Sequence, residues 1–264
     1  MNRVGKNQTF GNAVLRLLIL STLLCATPVV RPVKAADGTL TVPSGTILPV
    51  RLNSTISSAK SKPGQVITGR IMQDVPLESG ALLQAGSKII GHIVDVSSPT
   101  NGTQARISFQ FDKLISLGRT IPIRTNLRAV AGLVTVMQAE VSNDNPHDYF
   151  LPSLIGGDIA YQSGGGAVTA PNGAVVGRLV KDGVVDQVRA GSRQGRDCRG
   201  PVDGKGSPEA MWVFSSDACG TYDLPQIRVT HAGRTQPVGV IMLMSEKGQF
   251  NLPRGAGMLL RVDQ

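Results

Sequence analysis

The chain has 264 residues, 41% of them hydrophobic and 17% charged, with only ten aromatic side chains (one Trp, three Tyr, six Phe). Its 27 basic and 18 acidic side chains give a formal charge of +9, but Arg3, Lys6, Arg16, Arg31 and Lys34 lie in the first 36 residues, which hold no acid; without those five, residues 37–264 carry 22 basic and 18 acidic groups, or +4. A scattered +4 with few rings supplies neither a phosphate-tracking stripe nor stacking platforms for bases, which excludes nucleic acid as the expected partner.

Residues 1–36 read as an export signal. Arg3, Lys6 and Arg16 form a basic region, and Leu15 to Ala26 is apolar apart from Arg16, Ser21 and Thr22. Val33-Lys34-Ala35-Ala36 then ends the segment with small residues at the spacing that signal peptidase accepts. An apolar core of about ten residues is half of the roughly twenty that span a bilayer, so cleavage is expected over a retained anchor, with no integral span in the mature form. Cys25 raises lipidation as an alternative, but Leu24 stands where that processing takes Gly, Ala or Ser.

The next segments share one pattern. Val42-Pro43-Ser44-Gly45-Thr46 leads into Ile47 to Leu52, Leu83-Gln84-Ala85-Gly86-Ser87 into Lys88 to Val94, Ala170-Pro171-Asn172-Gly173 into Ala174 to Val180, and Leu252-Pro253-Arg254-Gly255 into Met258 to Val262. Pro presets the first turn corner, Gly supplies positive φ near its end, and β-branched residues then run extended. The predicted structural turn residues are therefore Pro43, Gly45, Gly86, Pro171, Gly173, Pro253 and Gly255. The spacing of the four copies is too uneven for a solenoid or propeller.

Further strands are expected over Val66 to Val75, over Gln104 to Phe111 with Ala105, Ile107, Phe109 and Phe111 on one face, and over Thr120 to Thr125 with Ile121 and Ile123 inward. Residues 40–126 thus predict a β-barrel-like domain. Leu127, Val130, Ala131, Val134, Met137, Ala139 and Val141 fall near helical spacing and predict a short helix, with a strand pair as the alternative. Residues 142–173, rich in glycine, predict a linker or surface loop. A second β-rich unit is expected over 174–264, with strands at Val175 to Val180, Val184 to Val188, Met211 to Phe214, Ile227 to Thr230, Val238 to Met244 and Met258 to Val262. The fold class is mainly β: a partly open barrel or sandwich, at most one short helix, and a Gly-rich loop to a second small unit.

Without Cys25, the cysteines form an even pair, Cys198 and Cys219, expected as a disulfide across a Gly/Pro-rich loop in an oxidising compartment. The alternative, a metal pair, lacks the close Cys and His spacing of zinc sites. His92, His147 and His231 each lack a partner at i+2 or i+4, and no Gly-x-Ser-x-Gly elbow occurs. Gly164-Gly165-Gly166 and Gly204-Lys205-Gly206-Ser207 lack the strand, helix and Lys-Ser/Thr of a phosphate loop. Trp212, close to Cys219, is expected to pack against the bridge. No catalytic, cofactor-binding or metal-ligating residues are predicted. Asp74, Glu78, Asp95 and Asp112 keep open one enzymatic alternative, a secreted hydrolase of cell-wall or extracellular carbohydrate.

Leu40 to Leu52 (LTVPSGTILPVRL), Ile56-Ser57-Ser58, Pro63-Gly64-Gln65-Val66, Gln73-Asp74-Val75, Leu83 to Gly91 and Phe109 to Leu114 resemble, in order and spacing, the TrbI-like β-barrel component of conjugation and type IV secretion core complexes. Leu252 to Val262 is similar to that family's last strand. The resemblance implies a modified barrel that assembles with copies of itself or with other envelope proteins. This chain departs from the family where a membrane-inserting helical hairpin and an inner-membrane anchor would stand. The expectation is an exported, non-enzymatic scaffold or binding module, located in the periplasm, at the outer membrane or outside the cell.

Overall fold

The computed structural model describes residues 41–98, 104–143, 154–157, 161–163, 167–169, 175–180, 183–186, 195–199 and 208–263. All fall within one structural unit, Leu40–Gln264. The leader, His147, Pro171, Gly173 and both glycine runs weighed above lie outside the described residues.

In chain order the elements are β1 (Ile47–Leu52), β2 (Ile56–Ser57), β3 (Val66–Ile71), β4 (Val75–Pro76), β5 (Leu82–Leu83), β6 (Lys88–Ser97), β7 (Ala105–Ser116), β8 (Arg119–Pro122), β9 (Arg124–Ala131) and α1 (Leu133–Asn143). There follow β10 (Tyr161–Ser163), β11 (Ala167–Thr169), β12 (Val175–Val180), β13 (Gly183–Asp186), β14 (Glu209–Trp212), β15 (Gly220–Tyr222), β16 (Arg228–His231), β17 (Ile241–Ser245), β18 (Asn251–Leu252) and β19 (Gly257–Asp263). The protein is mainly β, with one short helix among the described residues, as its turn-and-strand pattern predicts.

One large sheet runs β15-β9-β19-β1-β3-β6-β7-β17-β16, with β8 also paired to β7. It is mixed, since β15 lies parallel to β9, and its backbone ladder does not close into a barrel. Strand alternation sorts its side chains onto two faces. Leu48, Val50 and Leu52 of β1, Ile67 and Ile71 of β3, Ile89 and Ile93 of β6, Phe109 and Phe111 of β7, and Met258, Leu260 and Val262 of β19 share the main core. Ile47, Ala129 and Leu259 point the other way, into a smaller core built with Val136 and Ala139 of α1 and with Trp212 and Phe214.

The repeated turn acts as a reciprocal clamp. Gly45 donates its N–H to Val262 and Thr46 accepts from the Val262 N–H, while Gly255 donates to Leu52 and Ala256 accepts from the Leu52 N–H. The turn opening each strand thereby binds the end of the other, and the β1–β19 register is centred on Pro49 opposite Leu259. β3 and β6 repeat the device: Gly64 and Gln65 hold Ile93, Gly86 and Ser87 hold Ile71, and the register centres on Thr68 opposite Ile90. The four clamp glycines have φ between +79 and +91°, where a Cβ is disfavoured.

The segment expected as a helix from Leu127 divides at Gly132. Residues before it form β9, which is buried on both faces: Leu127 and Val130 join the main core, Ala129 and Ala131 the smaller one. A doubly buried strand is apolar at nearly every position, so its pattern resembles that of a buried helix. Within 142–173 the described residues include β10 and β11, which pair antiparallel with Tyr161 opposite Thr169, and Ile155, which bridges to Phe214.

Residues 174–264 divide between two sheets. β12, β13 and β14 continue the antiparallel sheet β10-β11-β12-β13-β14, whereas β15, β16, β17 and β19 enter the large sheet, β19 between β9 and β1. β14 is buried throughout and meets β9 through a buried ion pair, Arg128 Nη1 to Glu209 Oε2 at 3.0 Å. The same guanidinium donates to the carbonyls of Ala218 and Ser216, so its burial is matched by hydrogen bonds.

Two glycines separate close packing from backbone strain. At Gly91, beside a bulge between β6 and β7, a Cβ would lie 1.9 Å from the Gln110 carbonyl oxygen; at Gly86 (φ +86°) a Cβ would meet nothing within 4 Å. In urea titrations Gly86→Ala should cost about 1 kcal/mol, and Gly91→Ala about 3 kcal/mol or more because backbone must move. Equal losses would contradict the close β6–β7 approach.

Candidate functional site: the disulfide-held sheet edges and the Tyr222 cleft

The most elaborate polar construction among the described residues surrounds the disulfide. Cys198 and Cys219 are bonded, with Cα atoms 5.0 Å apart. The bond ties Gly195 to Arg199 against β15, and Arg196 bridges Thr221 of that strand. Thr221 donates to the Arg196 carbonyl through both its N–H (2.7 Å) and its hydroxyl (3.1 Å), and Gly195 donates to the Cys219 carbonyl. Such an approach requires Gly220 (φ +91°), where a Cβ would stand 2.4 Å from the Arg196 carbonyl oxygen.

The same segment reaches β16, at the other end of the large sheet. The Arg196 guanidinium donates to the carbonyls of Pro225, Leu224 and Ile227, and Arg199 Nε donates to Val229 of β16. Asp197 holds the Arg228 guanidinium at 3.2 Å, and Arg228 also meets Glu246 at 3.3 Å. Unpaired strand edges invite pairing with other chains; here a short covalently held segment covers groups at both ends of the sheet.

Beside this segment lies a cleft of about 380 Å³, lined by Thr135, Gln138 and Ala139 of α1, by Leu154 to Gly157, and by Gly195, Tyr222 and Asp223. The Tyr222 hydroxyl accepts the N–H of Gly195 and that of Cys219, each at 3.0 Å. Burial raises the Tyr222 pKa above its ordinary 10.0, against the opposing pull of those two N–H groups, so the phenol is neutral at physiological pH. Thr135 Oγ1 donates to Asp223 Oδ2 at 2.6 Å, and Asp223 is the only carboxylate among the described lining residues. This arrangement offers hydrogen bonds to a polar ligand or chain. The paired acids of glycoside hydrolysis would need a second carboxylate.

The acids singled out from sequence are dispersed. Asp74 accepts the Ala85 N–H, Asp95 faces Arg106 at 3.8 Å, and Asp112 holds His92 Nδ1 at 2.9 Å. Glu78 and Glu209 do line one pocket, but its volume is about 40 Å³, space for a few waters and not for a sugar ring. His231 lies within hydrogen-bond distance of the Val240 carbonyl, Thr235 and Gln236. Among the described residues, no three His, Cys, Asp or Glu side chains gather as a metal cluster would.

Trp212 is buried, but its neighbours differ from the expectation. It makes an edge contact with Phe214, its backbone N–H donates to Gln73 Oε1, and the Arg51 guanidinium lies over its ring at 5.2 Å. The aromatic residue beside the bridge is Tyr222, which sequence reasoning did not place there. Its signal was modest: it stands three residues after Cys219, in Cys-Gly-Thr-Tyr.

No protein-family model and no curated protein matches the chain.

Replacing Cys198 by Ser should lower stability by about 3 kcal/mol in the chain-entropy account, measured by urea unfolding under oxidising conditions. An unchanged midpoint would mean the bond constrains nothing. Because the folded pKa of Tyr222 is raised, the folded state binds the proton more tightly, so stability is full below pH 10 and falls as pH rises from there through the folded value. Tyr222→Phe should remove that part of the alkaline loss; identical pH–stability curves would contradict it.

Proposed function

We propose that this chain is an exported scaffold of a bacterial-type cell envelope, working by binding and assembly without catalysis. The observation that carries the reading is the Cys198–Cys219 bond and the Gly195–Arg199 segment it holds, which ties groups at both ends of the large sheet. Such a bond persists in an oxidising compartment and is reduced in a typical cytosol. The basic and apolar leader supports the same location.

The reciprocal clamps and the disulfide favour a rigid body that presents surfaces over one that opens around a substrate. The TrbI-like resemblance of residues 40–126 and of Leu252 to Val262 supports assembly with copies of itself or with other envelope proteins. The Tyr222 cleft, with its neutral phenol, amide and half-satisfied carboxylate, suits a polar segment of such a partner.

Expression of the full chain in a Gram-negative host tests this directly. The protein should be recovered outside the cytoplasm, with an intact mass two protons below that of its reduced form and no thiol labelling at Cys198 or Cys219. Size exclusion should show a species larger than one chain. Cytoplasmic retention with both thiols free would overturn export, and a strict monomer with no envelope component bound would overturn assembly.

A further inference from the structure

The cations that look scattered along the chain converge on one face of the large sheet. Strand register places Arg51 opposite Arg70, Arg70 opposite Lys88, and Lys88 opposite Ile115, which lies opposite Thr120. These residues alternate with core positions, so the row lies on the face turned away from the main core. One step along the strands, Thr68, Ile90, Lys113 and Pro122 form the next row.

Arg51 is half-buried and paired with Glu140 of α1, whereas Arg70, Lys88 and Lys113 are exposed and make no ion pair with a described residue. Like charges directly opposite on neighbouring strands are destabilising. The nearby acids are engaged locally, Asp112 with His92 and Asp74 with the Ala85 N–H; Glu78 lies at the β4–β5 turn. Arg70, Lys88 and Lys113 thus place three cations without an ion-pair partner among the described residues on three adjacent strands.

At the end of this face, the β7–β8 turn exposes Leu117. It is 69% exposed and adopts φ +50°, unfavourable for a leucine on both counts. Leu117 begins the turn just beyond the Ser116–Arg119 pair, one pair past the row carrying Lys88. An apolar tip with cations one short step behind it matches the layering of a bilayer interface, where apolar groups sink about 5–10 Å below the headgroups.

We infer that this face docks on an anionic phospholipid surface, with Leu117 entering the interface while Arg70, Lys88 and Lys113 meet headgroup phosphates. This goes beyond export and assembly, and its test in purified components is independent of both. It gives the exported body a membrane contact made by strands and a turn, with no spanning helix.

The test is local to the tip, so that any attachment through the leader is not mistaken for it. In full-length protein carrying Cys25→Ser and Leu117→Cys, an apolar, polarity-sensitive fluorophore is coupled to the new thiol. Adding phosphatidylglycerol vesicles at low salt should shift its emission to the blue, and spin-labelled lipid should quench it. Phosphatidylcholine vesicles should give little shift.

Adding Arg70→Gln and Lys88→Gln should weaken the response roughly twenty-fivefold, at about fivefold per cation, with the urea midpoint retained or raised. Sedimentation with vesicles while the dye stays in water would overturn the inference, as would equal shifts with both lipids or a response indifferent to the two Gln substitutions. Inorganic polyphosphate bound without a shift at position 117, in the absence of any vesicle response, would replace the bilayer with a soluble polyanion.

Discussion

The structure depends on the pairing of β1 with β19, strands separated by most of the chain. Their turns bind one another's ends through Gly45–Val262 and Gly255–Leu52, and the resulting ladder lies inside the large sheet, between β9 and β3. On one side of the ladder β3 and β6 repeat the same reciprocal clamp; on the other lies β9, buried on both faces. Closing so long a connection is entropically unfavourable, and it is offset by strands whose inward residues, from Leu48 to Val262, are almost fully buried.

The remaining features follow from this centre. Because β19 holds β9, and β9 holds β15, the Tyr222 region has a fixed position against α1. The disulfide then fastens Gly195 to Arg199 across that region, and Arg196 and Arg199 reach from β15 to the approach and body of β16. Charge is distributed accordingly. Arg128 is spent on burying β14 and Arg51 on α1, while Arg70, Lys88 and Lys113 are exposed and make no ion pair with a described residue.

Much of this was legible in the sequence where the signals are local. The alternation from Ala105 to Phe111 marked β7 and its inward face, and Pro43-Ser44-Gly45 and Pro253-Arg254-Gly255 marked the turns before β1 and β19. The likeness of those two turns was visible, but their mutual binding was not, because register between distant strands leaves no local trace. β9 was misread for a related reason: burial on both faces removes the alternation that identifies a strand. The basic row was hidden because Arg51, Arg70, Lys88 and Lys113 meet only through register, and Tyr222 because its partners are backbone groups of Gly195 and Cys219.

Native-state hydrogen exchange on the oxidised protein tests the central claim, that reciprocal clamps lock the large sheet as one unit. The amides of Gly45, Leu52, Gly255 and Val262 should exchange together with those of Gly64, Ile71, Gly86 and Ile93, only through global unfolding and with the free energy measured in urea. Early exchange of the first four while the second four remain protected would contradict the account, because it would show that β19 can leave the sheet without unfolding it.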